Sequence, residues 1–327
     1  MPAIRKILVA IKDPASRSLP TLEKAARLAH GFSAKLILFH GITDLVPVDA
    51  YFYAHGDVKR VQRDTMARYQ QRLEAIAERL REQQLDVSVC VTWDFPAHEA
   101  IVRCARKHKA DLIVAECHAG RRTLPWLMHL TDWELLRTSP VPVLLVKSGA
   151  TWADLNVLAA IDPSHRFAKP AKLDSRILTA AAAFSSALKG TLYVAHSYVP
   201  VPTGSIPMAG ASSLLVEQIA EGSQARAKEG LKNAVSALRI PRNRQYLLQG
   251  TPVETIPRLA AKLVCELVVM GAVSRSGLKR ALIGNTAERM LNSLAADVLV
   301  VKPLEFKTRV AKRSRGMHFV GLPAQGL

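Results

Sequence analysis

Residues 266–288 read ELVVMGAVSRSGLKRALIGNTAE, and this stretch decides the fold. It opens on an apolar run, Leu267 to Met270, of the length and type of a buried strand. Gly271 follows and permits a turn or a close backbone approach. Gly284-Asn285-Thr286 then leads into AERMLNSL, a helical segment, and Asn285 with Glu288 three residues on has the form of a capping box. Strand, glycine loop and helix start in that order suit an anion. The first N–H groups of a helix are free, and its macrodipole is positive there. Arg275, Lys279 and Arg280 add positive charge nearby. Taken alone, the same glycines serve equally well as plain loop formers.

The stretch has a counterpart 155 residues earlier. Asp111-Leu-Ile-Val answers Glu266-Leu-Val-Val, Val143–Lys147 answers Val298–Lys302, and Glu99 answers Glu254. The strand starts agree too, ILVAIKDP (7–14) against VLAAIDP (157–163). Such a period is too long for a solenoid repeat. It means two copies of one domain, 1–148 and 153–303, followed by a basic tail, 304–327.

Each copy reads as alternating strands and helices. Apolar runs rich in Val, Ile and Leu predict strands at 5–11, 35–40, 87–91, 111–115 and 142–146. In the second copy they fall at 155–161, 191–196, 244–248, 266–270 and 297–301. From Tyr69 onward, Leu73, Ile76, Ala77 and Leu80 share one helical face. The alternation gives an α/β fold, a parallel sheet covered on both faces, with ligands expected at the carboxyl ends of its strands.

Composition bounds the rest. The 327 residues carry 45 Lys+Arg and 27 Asp+Glu, a net charge of +18, which hints at an anionic partner without naming one. No apolar run reaches the length of a membrane span, and the N-terminus lacks the marks of a signal peptide. Cys90, Cys104, Cys117 and Cys265 are scattered without a CxxC pair, arguing against a disulfide framework or a zinc site and for a cytoplasmic protein. The histidines show no ligand spacing, so no metal site is expected. His40 and His196, matched at the ends of second strands, read first as structural. No nucleophile elbow or Ser–His–Asp order is present, and no carboxylate precedes Glu288 in the loop to position a water. The expectation is a protein that binds rather than catalyses.

The first copy is an internal control. Gly271 corresponds to Glu116, Gly277 to Arg122 and Gly284 to His129. Thr131 and Glu134 still predict a capped helix start there. The helix start is thus expected in both copies, and the phosphate-compatible loop only in the second. Asp162, just past the first strand of that copy, offers a carboxylate to ribose hydroxyls, or serves as a turn residue in Asp162-Pro163-Ser164. The backbone of Ser197 is placed to read an adenine edge.

Over residues 1–303 the chain resembles the tandem-domain members of the universal stress protein family, their E type above all. The runs Thr131–Arg137 and Gly284–Glu288 carry the likeness. The resemblance implies two five-stranded parallel-sheet domains of the adenine nucleotide alpha hydrolase-like type. It also implies ATP, with Mg2+ possible beside it, held through Gly-x2-Gly-x9-Gly-(Ser/Thr). Gly271 and Gly284 match the first and third glycines; Ser274 stands at the second, and Asn285 at the Ser/Thr, with Thr286 behind it. Carried over residue by residue, Ala160 and Asp162 face the ribose and Ser197 the adenine. Met270, Gly271, Arg275, Gly284, Asn285 and Thr286 face the phosphates. The resemblance further implies pairing of the fifth strands, Val143–Val146 with Val298–Val301, as a pseudo-dimer within one chain.

Two alternatives stay open. Apolar stretches after the second strands, Val46–Tyr53 and Pro200–Leu215, are either loops on their own domain or lids over a cavity for a lipid or other apolar metabolite. The tail carries Lys307, Arg309, Lys312, Arg313 and Arg315. It reads as a solvated arm, with nucleic acid or anionic lipid as its possible partner.

Overall fold

The apolar runs become strands, each within two residues of its expected position, because Val, Ile and Leu suit a sheet buried on both faces. The computed structural model describes residues 3–47, 58–117, 125–147, 149–163, 172–199, 213–271 and 285–320. The first copy runs β1 (Lys6–Ala10), α1 (Pro20–Phe32), β2 (Lys35–Ile42), β3 (Leu45–Pro47), α2 (Val58–Glu82), β4 (Val87–Trp93), α3 (Ala97–His108), β5 (Leu112–Glu116), α4 (Pro125–Thr138) and β6 (Val143–Val146). The second runs β7 (Asn156–Ile161), α5 (Leu173–Ala187), β8 (Thr191–Tyr198), α6 (Ser213–Val235), β9 (Gln245–Gln249), α7 (Pro252–Lys262), β10 (Leu267–Gly271), α8 (Asn285–Ser293) and β11 (Asp297–Val301). A last strand, β12 (His318–Val320), follows. Two units result: residues 152–306, and residues up to 151 together with those from 307 onward.

Within the first unit the strands lie in the order β4-β2-β1-β5-β6, all parallel. Within the second the order is β9-β8-β7-β10-β11, again all parallel. Ile7, Leu8, Val9, Leu112, Ile113 and Val114 are fully buried in the one, and Val157, Leu158, Ala159, Leu267, Val268 and Val269 in the other. The helices lay apolar stripes on these sheets. Ala25, Leu28 and Ala29 form the stripe of α1, and Ile177, Ala180, Ala181 and Phe184 that of α5. Pro20 and Pro252 occupy the first helical position, where the missing N–H costs nothing. Among the described residues no helix is long and apolar enough to cross a membrane.

Three expectations need correction. Thr131 and Glu134 do not start a helix. α4 begins at Pro125, so both lie inside it, and Glu134 pairs with Arg137 at 2.7 Å. A proline at the first position and no breaker after it outweigh the capping pattern. Leu45–Pro47, at the start of the first apolar stretch, is a strand; residues 48–57 and 200–212 lie outside the described residues, while 213–215 open α6.

The third concerns the tail, which over residues 307–320 is not a free arm. β12 pairs in parallel with β3, His318 opposite Leu45 and Val320 opposite Pro47. Arg106 Nη1 donates to Val310 O at 2.8 Å. The Arg315 amide donates to Asp94 Oδ1 at 3.0 Å, and its Nη2 meets Glu99 Oε1 at 2.8 Å. The anchor beneath is a buried pair. Arg103 grips Asp94 with Nε (2.6 Å) and Nη2 (2.9 Å), and reaches Glu99 with Nη1 (2.8 Å). Arg315 is thereby committed to carboxylates of its own chain, which removes one cation from the set proposed for nucleic acid.

Arg103→Ala leaves the buried Asp94 carboxylate without its cation and Glu99 with Arg315 alone. Urea unfolding should show a loss of about 3–5 kcal/mol. Deleting residues 307–327 should cost less, and should raise amide exchange in β4 and α3 while leaving α7 and β10 unchanged.

Candidate functional site at the strand ends

In both units the first strand lies between the second and the fourth. The chain therefore leaves the centre of the sheet in opposite directions after the first and fourth strands. Folds with this switch in direction bind ligands at the carboxyl ends of those strands. In the second unit the switch falls at the ends of β7 and β10. Ala160 is half-buried at the end of β7, and Asp162 follows it. The Asp162 amide donates to Asp174 Oδ1 at 3.0 Å, which fastens this turn to the first turn of α5. Ser197 is buried in β8. Its hydroxyl lies 2.6 Å from Thr255 Oγ1, which donates in turn to Thr251 O at 2.9 Å. Its side chain is thus engaged with α7, and the adenine expectation rests on its backbone.

Met270 is buried at the end of β10. Gly271 has a reason the sequence does not show. A Cβ there would come within 2.8 Å of Leu173 Cδ2 and 3.2 Å of Ile177 Cδ1, so α5 occupies the space a side chain would need. α8 begins at Asn285, which puts Asn285 and Thr286 at a helix N-terminus; their side chains, like Arg275 and Gly284, lie outside the described residues.

The first unit has a cavity of about 230 Å³ at the equivalent place. Ala10, Ile11 and Lys12 line it from the end of β1, and Ala115 and Glu116 from the end of β5. Phe39, Ile101 and Leu135 give it an apolar wall, while Asp132 adds a second carboxylate. Two carboxylates against one lysine disfavour a phosphate.

His40 and His196 are structural in the same way. Each is buried, and each Nδ1–H donates across the sheet to the residue ending or following the first strand: to Ile11 O at 2.9 Å and Ile161 O at 3.3 Å. Burial holds the His40 pKa below the ordinary histidine value, against the pull of the Ile11 bond, Asp13 and Asp44.

One further group departs from the expectation of no metal-ligand set. The ligand atoms of Cys90, Cys104 and His108 lie within 4.8 Å of one another. The sequence hides this because the first sits on a strand and the others on the next helix.

With this geometry in hand, the model of the Universal stress protein family matches residues 3–147 and again 156–302. The chain belongs to the universal stress protein family. It is 26% identical over 316 residues to Universal stress protein E of Salmonella typhi, covering 94% of this chain and 98% of that one. To Universal stress protein E of Escherichia coli K12 it is 25% identical, covering 94% and 97%. A functionally unknown protein from Pseudomonas aeruginosa PAO1 has a similar structure, with a TM-score of 0.72 and 27% identity over 93% of this chain and 94% of that one. A universal stress protein from Archaeoglobus fulgidus shares the fold, with a TM-score of 0.63 at 15% identity over 92% and 99%. Tandem universal stress domains, each a five-stranded parallel sheet, are thus this chain's architecture.

The histidine geometry sets a pH dependence. A group whose folded pKa lies below its unfolded value stabilises the fold above the unfolded value, and loses that contribution as pH falls. Stability in urea should therefore decline below pH ~6.5, the unperturbed histidine value. In His40→Gln the decline should be shallower, from a lower starting stability.

Proposed function

We propose that the protein is a non-catalytic stress-response module which binds an adenine nucleotide, ATP or a relative, in its second domain. The carrying observation is the strand order that sets the switch point at the ends of β7 and β10, together with a helix, α8, that begins at Asn285. Where the first copy has Glu116, the second has Gly271, so the strand end there carries no negative charge. In this reading Asp162 and Ala160 face the ribose and the Ser197 backbone faces the adenine. Met270, Gly271, Arg275, Gly284, Asn285 and Thr286 surround the phosphates, with Mg2+ as their companion. Binding favours one conformation or partner surface, and no step of chemistry is required.

Thermal melting tests this. Millimolar ATP or ADP should raise the melting temperature of the full chain, and Gly284→Asp, which sets a carboxylate at the helix N-terminus, should abolish the shift. The absence of any shift in the unaltered protein would sink the nucleotide reading.

The cavity of the first domain favours a second role beside the first. Its apolar wall and paired carboxylates suit a neutral or cationic apolar metabolite. Protein taken from cells, measured by native mass spectrometry and then denatured, should release one small apolar molecule per chain, and Ala97→Trp at the cavity wall should reduce its occupancy. Equal occupancy in that variant would place the molecule elsewhere.

A further inference from the structure

We propose that Cys90, Cys104 and His108 of the first domain form a binding site for one thiophilic divalent metal ion of the Zn2+ class. Cys90 lies on β4, and Cys104 and His108 lie four residues apart on α3, hence on one face of that helix. Cys104 Sγ is 3.5 Å from Cys90 Sγ. A tetrahedral zinc ion with Zn–S bonds near 2.3 Å holds two sulfurs about 3.8 Å apart. The pair therefore needs an adjustment of only a few tenths of an ångström. A disulfide, with its bond of about 2.05 Å, would need a far larger closure.

The third donor, the His108 imidazole, lies within reach of both sulfurs. His108 Nε2 is buried and has no hydrogen-bond partner. A buried ring nitrogen left unpaired carries a desolvation cost that coordination removes. Two sulfurs and an imidazole select zinc-like ions over the hard cations Mg2+ and Ca2+, which take oxygen ligands. Three protein donors leave one tetrahedral position for water or another ligand.

The second copy shows that the fold does not require these residues. Phe39 pairs with Cys90 in the first sheet, and 155 residues on Val194 pairs with Gln245 in the second. At the same offset Leu259 and Leu263 replace Cys104 and His108. Apolar residues stand at those two positions, one on α7 and one at its C-terminal cap.

The test uses the full chain, reduced and stripped of metal with a chelator, then titrated with Co2+ as a spectroscopic probe and with Zn2+ in competition. Thiolate-to-cobalt charge-transfer absorption should grow to one Co2+ per chain and vanish on adding Zn2+, while Mg2+ leaves it unchanged. Cys90→Ser and His108→Gln should each weaken binding more than tenfold, and Cys265→Ala should not. His108→Gln keeps every thiol, and circular dichroism of the metal-free variants reports whether they fold. No charge-transfer band in the reduced protein, or a Cys90→Ser variant that binds as tightly as its parent, overturns the site.

Discussion

A strand at the centre of a parallel sheet covered by helices has neither a free edge nor a free face, and this protein is arranged around that constraint. β1 and β5 in one unit, β7 and β10 in the other, have their central residues fully buried, so polar groups gather at the strand ends. Backbone groups at the sheet border need partners, and matched side chains supply them in both copies. At the entry to β1, Asp111 Oδ2 accepts the Arg5 and Lys6 amides at 2.9 and 3.0 Å. Near the entry to β7, Glu266 Oε1 accepts the Ala153 amide at 2.8 Å. At the far end His40 and His196 bond to the carbonyls of Ile11 and Ile161. With the entry ends fastened and the faces covered, the carboxyl ends are left for ligands.

That constraint also explains what could be read from the chain. A strand buried on both faces must be apolar throughout, so Leu112–Ala115 and Leu267–Met270 announce themselves, and the 155-residue offset fixes the copies. Local signals failed where a longer-range preference competed. The Thr131…Glu134 pattern has the spacing of a capping box, yet it also fits the interior of a helix whose start is set by Pro125. The tail reads as a free basic arm because its partners, Asp94 and Glu99, come more than 200 residues earlier. Of the candidate site in the second domain, the order of strand, glycine and helix start is legible. The packing of Gly271 against Leu173 and Ile177 is not, since it depends on how α5 lies over the sheet.

The two copies differ at the same strand end. One strand end carries Glu116, and with Asp132 it faces a cavity with an apolar wall. The matching strand end carries Gly271, and α5 presses close against it. A charge at position 116 is tolerable because the cavity leaves room to solvate it or to pair it with a ligand. The same side chain at 271 would meet Leu173. At this one aligned position the copies therefore differ in both the charge and the side-chain volume at the strand end.

The helix α3 shows how a single element takes on two such tasks without conflict. At 100° per residue, Arg103 and Arg106 fall within about 60° of each other, and Cys104 and His108 within about 40°, with the two pairs on different sides. The arginines face the tail, one through Asp94 and Glu99, which hold Arg315, the other through the carbonyl of Val310. The cysteine and histidine face β4, whose Cys90 completes the cluster. β4 is the outermost strand on its side of the first unit, so it is less surrounded than the central pair β1 and β5. A sheet margin of that kind gains most from added fastenings. The docked tail is one such fastening, and the proposed metal ion joining Cys90 on the strand to Cys104 and His108 on the helix would be a second.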